Sequence, residues 1–584
     1  MNILNELDFW KNYLITSYLN DCSSILIVIA IISSVYFAKK LLQWRRIKKK
    51  IAKKCNDTDS RKIGLFQKFQ GMKKPFENIK VICELTGSEI QSKIRSHDFL
   101  AVDVLEAFQA NSLMKNNDLN FLADVIYEAD VSSLMVDPKN NSGVMALPLS
   151  VSDGLCIEKY DSTFGLLKES FHPNKKDCVV VKVLRENGAI PSIITCTGQG
   201  DIMMGTGNLF SGKTIHPGNS KLSCGGNSGS AAVALATNSS IIGIATDLQG
   251  EIRVPASFCG VYGLKPTSKR ISKRFTKSLG HKQNIIDYSI GPLARNVSDL
   301  ISLFRSISTE RMFELDPFCP PVAFNEALFS SEKPLTIGYY VNIGSNQSEC
   351  TPAVERAVLE AKKALENVGH KLVKYQLPNV EKVFNKVHST IMASDAGQSI
   401  INDVIKGESI DSSLNWYVRL LKLPNLVKRL LGSFVSLFCK PGGDWIKSLA
   451  GASVYNMWKN KDVIDSYKEE VLASWEHNNL DAVICPVAPT ASVDLKGSHC
   501  VINENIYSII YNILDFPAGS LPVTNVNQLD LDKLVKCQSK KTCCQRKCDM
   551  ENKSVGLPVG VQCVTLPWRE EIVLRIMQNI SDKI

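Results

Sequence analysis

What this sequence leaves out rules out several kinds of chemistry. Its eight histidines show no metal-ligand spacing. The stretch carrying Cys537, Cys543, Cys544 and Cys548 contains no C-x-x-C pair, so zinc is not expected there. Nothing in the composition calls for a metal or any other cofactor. Basic residues never form a stripe interleaved with aromatics, and 68 Lys and Arg are offset by 58 Asp and Glu. The net charge of +10 is modest for 584 residues, which argues against a nucleic-acid partner. The serine-hydrolase elbow G-x-S-x-G is missing too, because the only candidate loop reads Gly226-Asn227-Ser228-Gly229. Nor do the eighteen cysteines make a disulfide framework, a device of short secreted chains. Most are scattered singly in apolar contexts, as at Cys156, Cys259 and Cys485, and read as buried free thiols in a reducing compartment.

What remains is globular: 44% hydrophobic and 22% charged residues. Residues 1–54 read as an N-terminal anchor. An apolar run from Ile25 to Ala38 is followed at once by Lys39, Lys40, Arg45, Arg46, Lys48, Lys49 and Lys50. The run lies near the short end of a membrane-spanning helix, which needs roughly 17–25 residues. The basic flank places the C-terminal side in the cytoplasm, giving a single-pass protein expected in an endomembrane such as the endoplasmic reticulum. Residues 55–95 read as a polar linker with a helical lead-in. From 96 to 584 the pattern is that of one large domain, and Leu100, Val104, Leu105 and Phe108 predict an amphipathic helix near its start.

The chain is organised around Cys224–Lys265. Glycines at 225, 226 and 229 suit a loop whose backbone N–H groups face a ligand. Ala231 to Ala236 favour a closely packed helix, and Ile241 to Ala245 a buried strand. The turn after Asp247 then falls at the carboxyl end of that strand, where open α/β sheets place their chemistry. Ser228 and Ser230 read as caps of the following helix. Cys224 has no histidine beside it to activate it.

These residues resemble the amidase signature family, whose core is a Gly-Gly-Ser-Ser-Gly-Gly loop followed by a Gly-Ser-Ile-Arg-x-Pro turn. Met145 to Gly154, Tyr160-Asp-Ser-Thr-Phe-Gly-Leu, Leu480 to Pro489, Tyr511 to Gly519 and Lys553 to Val564 extend the likeness over roughly residues 95 to 584. It is strongest to the membrane-bound branch that hydrolyses fatty acid amides. The resemblance implies an α/β fold, a large mixed, mostly parallel twisted sheet flanked by helices, preceded here by the transmembrane helix. It also implies a membrane-docking cap at 413–440, where apolar residues from Leu420 to Phe438 mingle with Arg419, Lys422, Lys428 and Arg429. Residues 530–552 would form a polar, cysteine-containing loop.

The family's reaction uses an acyl-accepting serine, a bridging serine and a neutral lysine. By resemblance those positions are held here by Glu251, Asn227 and Ser152. Ser152 is no base, and Asn227 cannot relay a proton as a hydroxyl does. A Glu251 carboxylate would repel the oxyanion that the N–H groups of Leu248, Gln249, Gly250 and Glu251 would otherwise stabilise. Asp201 falls where that branch has a methionine whose carbonyl touches the substrate head. The expectation is a pseudoenzyme that binds membrane lipid and fatty acid amides through Asp201, Asn227 and Leu248–Glu251. It would act as a homodimer or as the partner of an active paralogue. The rival expectation is a fatty acid amide hydrolase with a rearranged site.

Overall fold

The computed structural model describes residues 22–70, 76–126, 143–202, 205–277, 285–344, 348–384, 389–495, 505–537 and 549–584. The chain opens with α1 (Cys22–Gln70), a helix of 49 residues. Two short helices follow, α2 (Phe76–Glu84) and α3 (Gly87–Arg95), the latter closed by a capping box between Thr86 and Glu89. The predicted amphipathic helix is α4 (Ala101–Leu119), with Val104, Leu105 and Phe108 buried.

Among the described residues the body is built on one sheet of eleven strands. In chain order these are β1 (Leu122–Val125), β2 (Pro148–Ser152), β3 (Ile190–Thr195), β4 (Ile242–Asp247), β5 (Tyr262–Lys265) and β6 (Ser289–Ala294). Then come β7 (Thr336–Tyr339), β8 (Lys371–Lys374), β9 (Ala482–Pro486), β10 (Ala518–Asn525) and β11 (Pro558–Thr565). Across the sheet they lie in the order β1, β3, β2, β4, β6, β5, β10, β11, β9, β7, β8. Parallel pairing is confined to β3–β2–β4 and β9–β7–β8, and six of the ten pairings are antiparallel. The sheet is mixed as expected, but it is not mostly parallel. An apolar run covered on both faces looks alike in either direction, so the sequence signal does not separate the two.

Helices cover both faces. The small-residue helix α5 (Gly229–Ala236) packs beside β4 and α6 (Arg253–Cys259) on β10 and β11, with Ala231, Ala232, Val233, Ile252 and Ala256 in one buried cluster. Helix α7 (Val297–Ile307) adds Leu300, Leu303 and Phe304 to the largest cluster, where the core of the body lies. Each Leu or Phe fully withdrawn from water in this way contributes about 1.5–3 kcal/mol.

The N-terminal expectation needs correction. Among the described residues no helix is long and apolar enough to cross a membrane. The apolar run of α1 stops at Ala38, where Lys39 begins a charged continuation of the same helix. A span of the hydrocarbon core asks for about 20 apolar residues. Residues 55–70, part of the segment expected as linker and helical lead-in, belong to α1 and dock on the body. Leu65 is buried, Lys54 pairs with Asp161 at 2.6 Å, and Arg61 grips Asp124 at 3.0 and 2.6 Å.

The segment 413–440, expected as a cap, holds α8 (Asn415–Leu421) and α9 (Asn425–Ser436), and α10 (Lys440–Ser448) starts at its end. Leu430, Phe434 and Phe438 remain 63%, 61% and 79% exposed, so its apolar face is uncovered in this chain. Lys428 does not join the basic face. It points inward, and its Nζ donates to the carbonyls of Ala396 and Leu449 and to Asn425 Oδ1. Further on, the expected loop at 530–552 begins as helix, α11 (Gln528–Cys537), while residues 538–548 lie outside the described residues.

Candidate functional site

Three strand ends build the site. Ser152 closes β2 and pairs in register with Thr195, the last residue of β3. On its other side β2 runs parallel to β4, whose last residue is Asp247. The glycine loop lies against the turn that follows. At Gly225 the φ of +94° is one L side chains rarely adopt, and a Cβ would meet Pro255 N at 2.8 Å. A Cβ on Gly226 would sit 3.0 Å from Glu251 Cα. Any larger residue there would push loop and turn apart.

The turn itself is held by one buried ion pair. Arg253 Nε and Nη2 donate to the two carboxylate oxygens of Asp247, both at 3.0 Å. The same guanidinium reaches Asn512 Oδ1 at 2.6 Å, Ser508 O at 2.9 Å and Gln562 Oε1 at 3.2 Å. Asp247 also accepts from the N–H groups of Gly250 and Ile252. Burial alone would raise its carboxyl; Arg253 outweighs that and holds it at about 2. Asn512 and Gln562 lie in 511–519 and 553–564, segments that carry the family resemblance but no expected site residue. Their polar side chains inside apolar runs were the signal available.

Glu251 occupies the turn in an unexpected way. Its Oε2 accepts from Leu248 N at 2.7 Å and Gln249 N at 2.5 Å. The side chain folds back onto its own turn and takes the donors that an oxyanion would need. Gly250, by contrast, has its N–H committed to Asp247 Oδ1 at 2.9 Å. Burial, and after it the charge of Asp247, push the Glu251 carboxyl up to about 7 against these N–H bonds. Among the described residues no lysine or arginine pairs with it.

This shift makes stability depend on pH with a definite sign. From the ordinary 4.5 to about 7 the native state holds a proton that the unfolded chain has released. Stability is therefore full below pH 4.5, declines through that window, and is lower by up to about 3 kcal/mol above pH 7. Glu251→Gln keeps an acceptor for both N–H groups and removes the charge. We expect it to raise the melting temperature at pH 8 by a few degrees and to leave it unchanged at pH 4.5. Equal effects at both pH values would contradict this electrostatic account.

Asn227 Oδ1 accepts from Gly198 N at 2.5 Å, which brings the 197–201 loop against the glycine loop. That loop carries Asp201 in a single helical turn, Gln199–Asp201. Gln199 bonds Ser409 O and Asp411 N, and a Cβ on Gly200 would strike Val404, so the loop also abuts the apolar cluster beneath the cap. Leu166, Ile400, Val404, Leu414 and Leu421 belong to that cluster. The expected residues Ser152, Asn227 and Leu248–Glu251 thus gather at the carboxyl ends of β2, β3 and β4.

Two expectations change. Ser228 and Ser230 do not cap α5: Ser228 Oγ donates to Thr246 O, and Ser230 Oγ bonds Thr214 and Cys196. They tie the helix start to the sheet instead. Cys224 is fully buried, which pushes its thiol up to about 12, so it is inert as a nucleophile.

Comparison with known proteins follows the same outline. The Amidase family profile matches residues 103–574. Fatty-acid amide hydrolase 1 of Sus scrofa is 32% identical over 529 residues, 88% of each chain. Fatty acid amide hydrolase 1 of Caenorhabditis elegans is 30% identical, across 86% of this chain and 88% of its own. Among solved structures, a fatty acid amide hydrolase superposes with a TM-score of 0.76 at 18% identity, covering 93% of this chain and 96% of its own. The loop, the turn and the sheet around them have one common explanation: the chain belongs to the amidase family and is similar to its fatty acid amide hydrolases.

Proposed function

We propose that this protein is a catalytically silent relative of the fatty acid amide hydrolases that binds lipid amides at a membrane surface. One observation carries the reading. Glu251 stands in the turn where the family has its nucleophile, and its carboxylate is seated on the N–H groups of Leu248 and Gln249. Acyl transfer would need those donors for its oxyanion, and losing one costs roughly 3–4 kcal/mol. Ser152 offers no base, and Asn227 bonds Gly198 rather than relaying a proton.

The binding role is supported by the apolar cluster that meets the 197–201 loop. Membrane contact is supported by the uncovered leucines and Phe434 of α9 and by Phe438 just beyond it, with Arg429 and Lys440 nearby in sequence, a composition suited to an anionic interface. A homodimer, or pairing with an active paralogue, would give such a binding protein an effect on amide turnover. Activity-based labelling tests the reading. With a fluorophosphonate the purified protein should label at background, while mass spectrometry of its organic extract shows a co-purified fatty acid amide. Robust labelling of any serine, lost when that serine is replaced, would overturn the reading.

A further inference from the structure

The crevice at the ends of β2, β3 and β4 carries acceptors in excess of donors. Ser152 and Thr195, neighbours in register, and Thr197, two residues beyond, are all buried. Their hydroxyl oxygens have no hydrogen-bond partner among the described residues. Hydroxyls so placed are costly to bury unless something bonds them. Beside them Glu251 has part of its side chain still accessible, and its carboxylate has no cationic partner among the described residues. The one guanidinium close by in the turn, Arg253, has five hydrogen bonds to Asp247, Asn512, Ser508 and Gln562 and none to Glu251.

We propose that this crevice binds a primary ammonium group carried on a single hydrocarbon chain, so that the ligand is a long-chain amine rather than a neutral amide. An ammonium brings three donors and a positive charge and no acceptor, the complement of one unpaired carboxylate beside three unpartnered hydroxyls. A neutral amide head would bring acceptors of its own and leave Glu251 without a counter-charge. The hydrocarbon chain lies along the Leu166–Val404–Leu421 cluster. That half of the inference rests on the lipid-binding reading above; the ammonium half rests on the crevice.

Equilibrium dialysis of the full chain at pH 8 tests it with three linear fourteen-carbon probes: the primary amine, the primary amide and the carboxylate. The amine should bind at least tenfold tighter than the amide, and the carboxylate weakest. Glu251→Gln should abolish the preference for amine while the amide still binds, which also shows that the variant is folded. Ser152→Lys supplies a tethered ammonium and should weaken the amine by a similar factor. Amide and amine binding equally would sink the ammonium proposal and leave the lipid-amide reading standing. A preference for amine that survives Glu251→Gln would sink it as well. If no probe binds, both readings fall.

Discussion

The triple substitution Ser152→Lys, Asn227→Ser and Glu251→Ser is expected to raise fluorophosphonate labelling from the background expected of the wild type to a readily measured rate. Removing the Glu251 carboxylate frees the N–H groups of Leu248 and Gln249, now engaged at 2.7 and 2.5 Å. A serine there gains the hydroxyl to be acylated, the serine at 227 a bridge, and the lysine at 152 a base. Ser152 Oγ gives up no hydrogen bond in the exchange, whereas Asn227 gives up the one from Gly198. Groups that act as a unit are strongly non-additive, so each single substitution should stay near background. The triple variant should label at least about 10²-fold faster than the wild type, the worth of a single oxyanion donor. A folded triple variant that stays unlabelled would mean that the walls of the pocket have changed along with its reacting groups.

The second large effect is structural. Arg253→Met should destabilise the fold by about 3–5 kcal/mol, because it strands the Asp247 carboxylate in the interior without its partner. It also removes donors from Asn512, Ser508 and Gln562, tying the turn less firmly to the carboxyl-terminal strands. The denaturant midpoint reads the loss. Adding Asp247→Asn should recover part of it, since it removes the stranded charge while its single amide oxygen can still accept from Gly250 N. Costs that simply add in the double variant would show that charge burial is not the cause.

Much of this organisation could be read along the chain. The glycine spacing at 225, 226 and 229, the alanine run and the Ile241–Ala245 strand lie close together in sequence, and local patterns of that kind carry their own signal. The gathering of Ser152 with Asn227 and Glu251 followed from resemblance, and it holds because β2 and β4 are direct neighbours. Three features were not legible. Strand direction leaves no mark on a doubly covered apolar strand, so the sheet was expected to be more parallel than it is. Lys428 looked like part of a basic face because sequence gives residue type and helical phase, not which carbonyls wait inside. The rotamer of Glu251 was also hidden. Its charge was expected to repel an oxyanion; its geometry, bonding back onto its own turn, is a matter of packing.

The Asp247–Arg253 pair has a consequence for synthesis. Arg253 reaches Gln562 across 309 positions and Asn512 across 259. A chain emerging from the ribosome therefore carries this charged turn for most of its length before the residues that complete it exist. At about 5–20 residues per second that is a wait of tens of seconds, spent with a polar hinge in the middle of an unfinished sheet. The site can close only after β11 has been made, so its assembly reports on the completeness of the whole chain. Truncation shortly before Gln562 should thus yield a protein recognised as unfinished by the cell's chaperones, however intact its first five hundred residues.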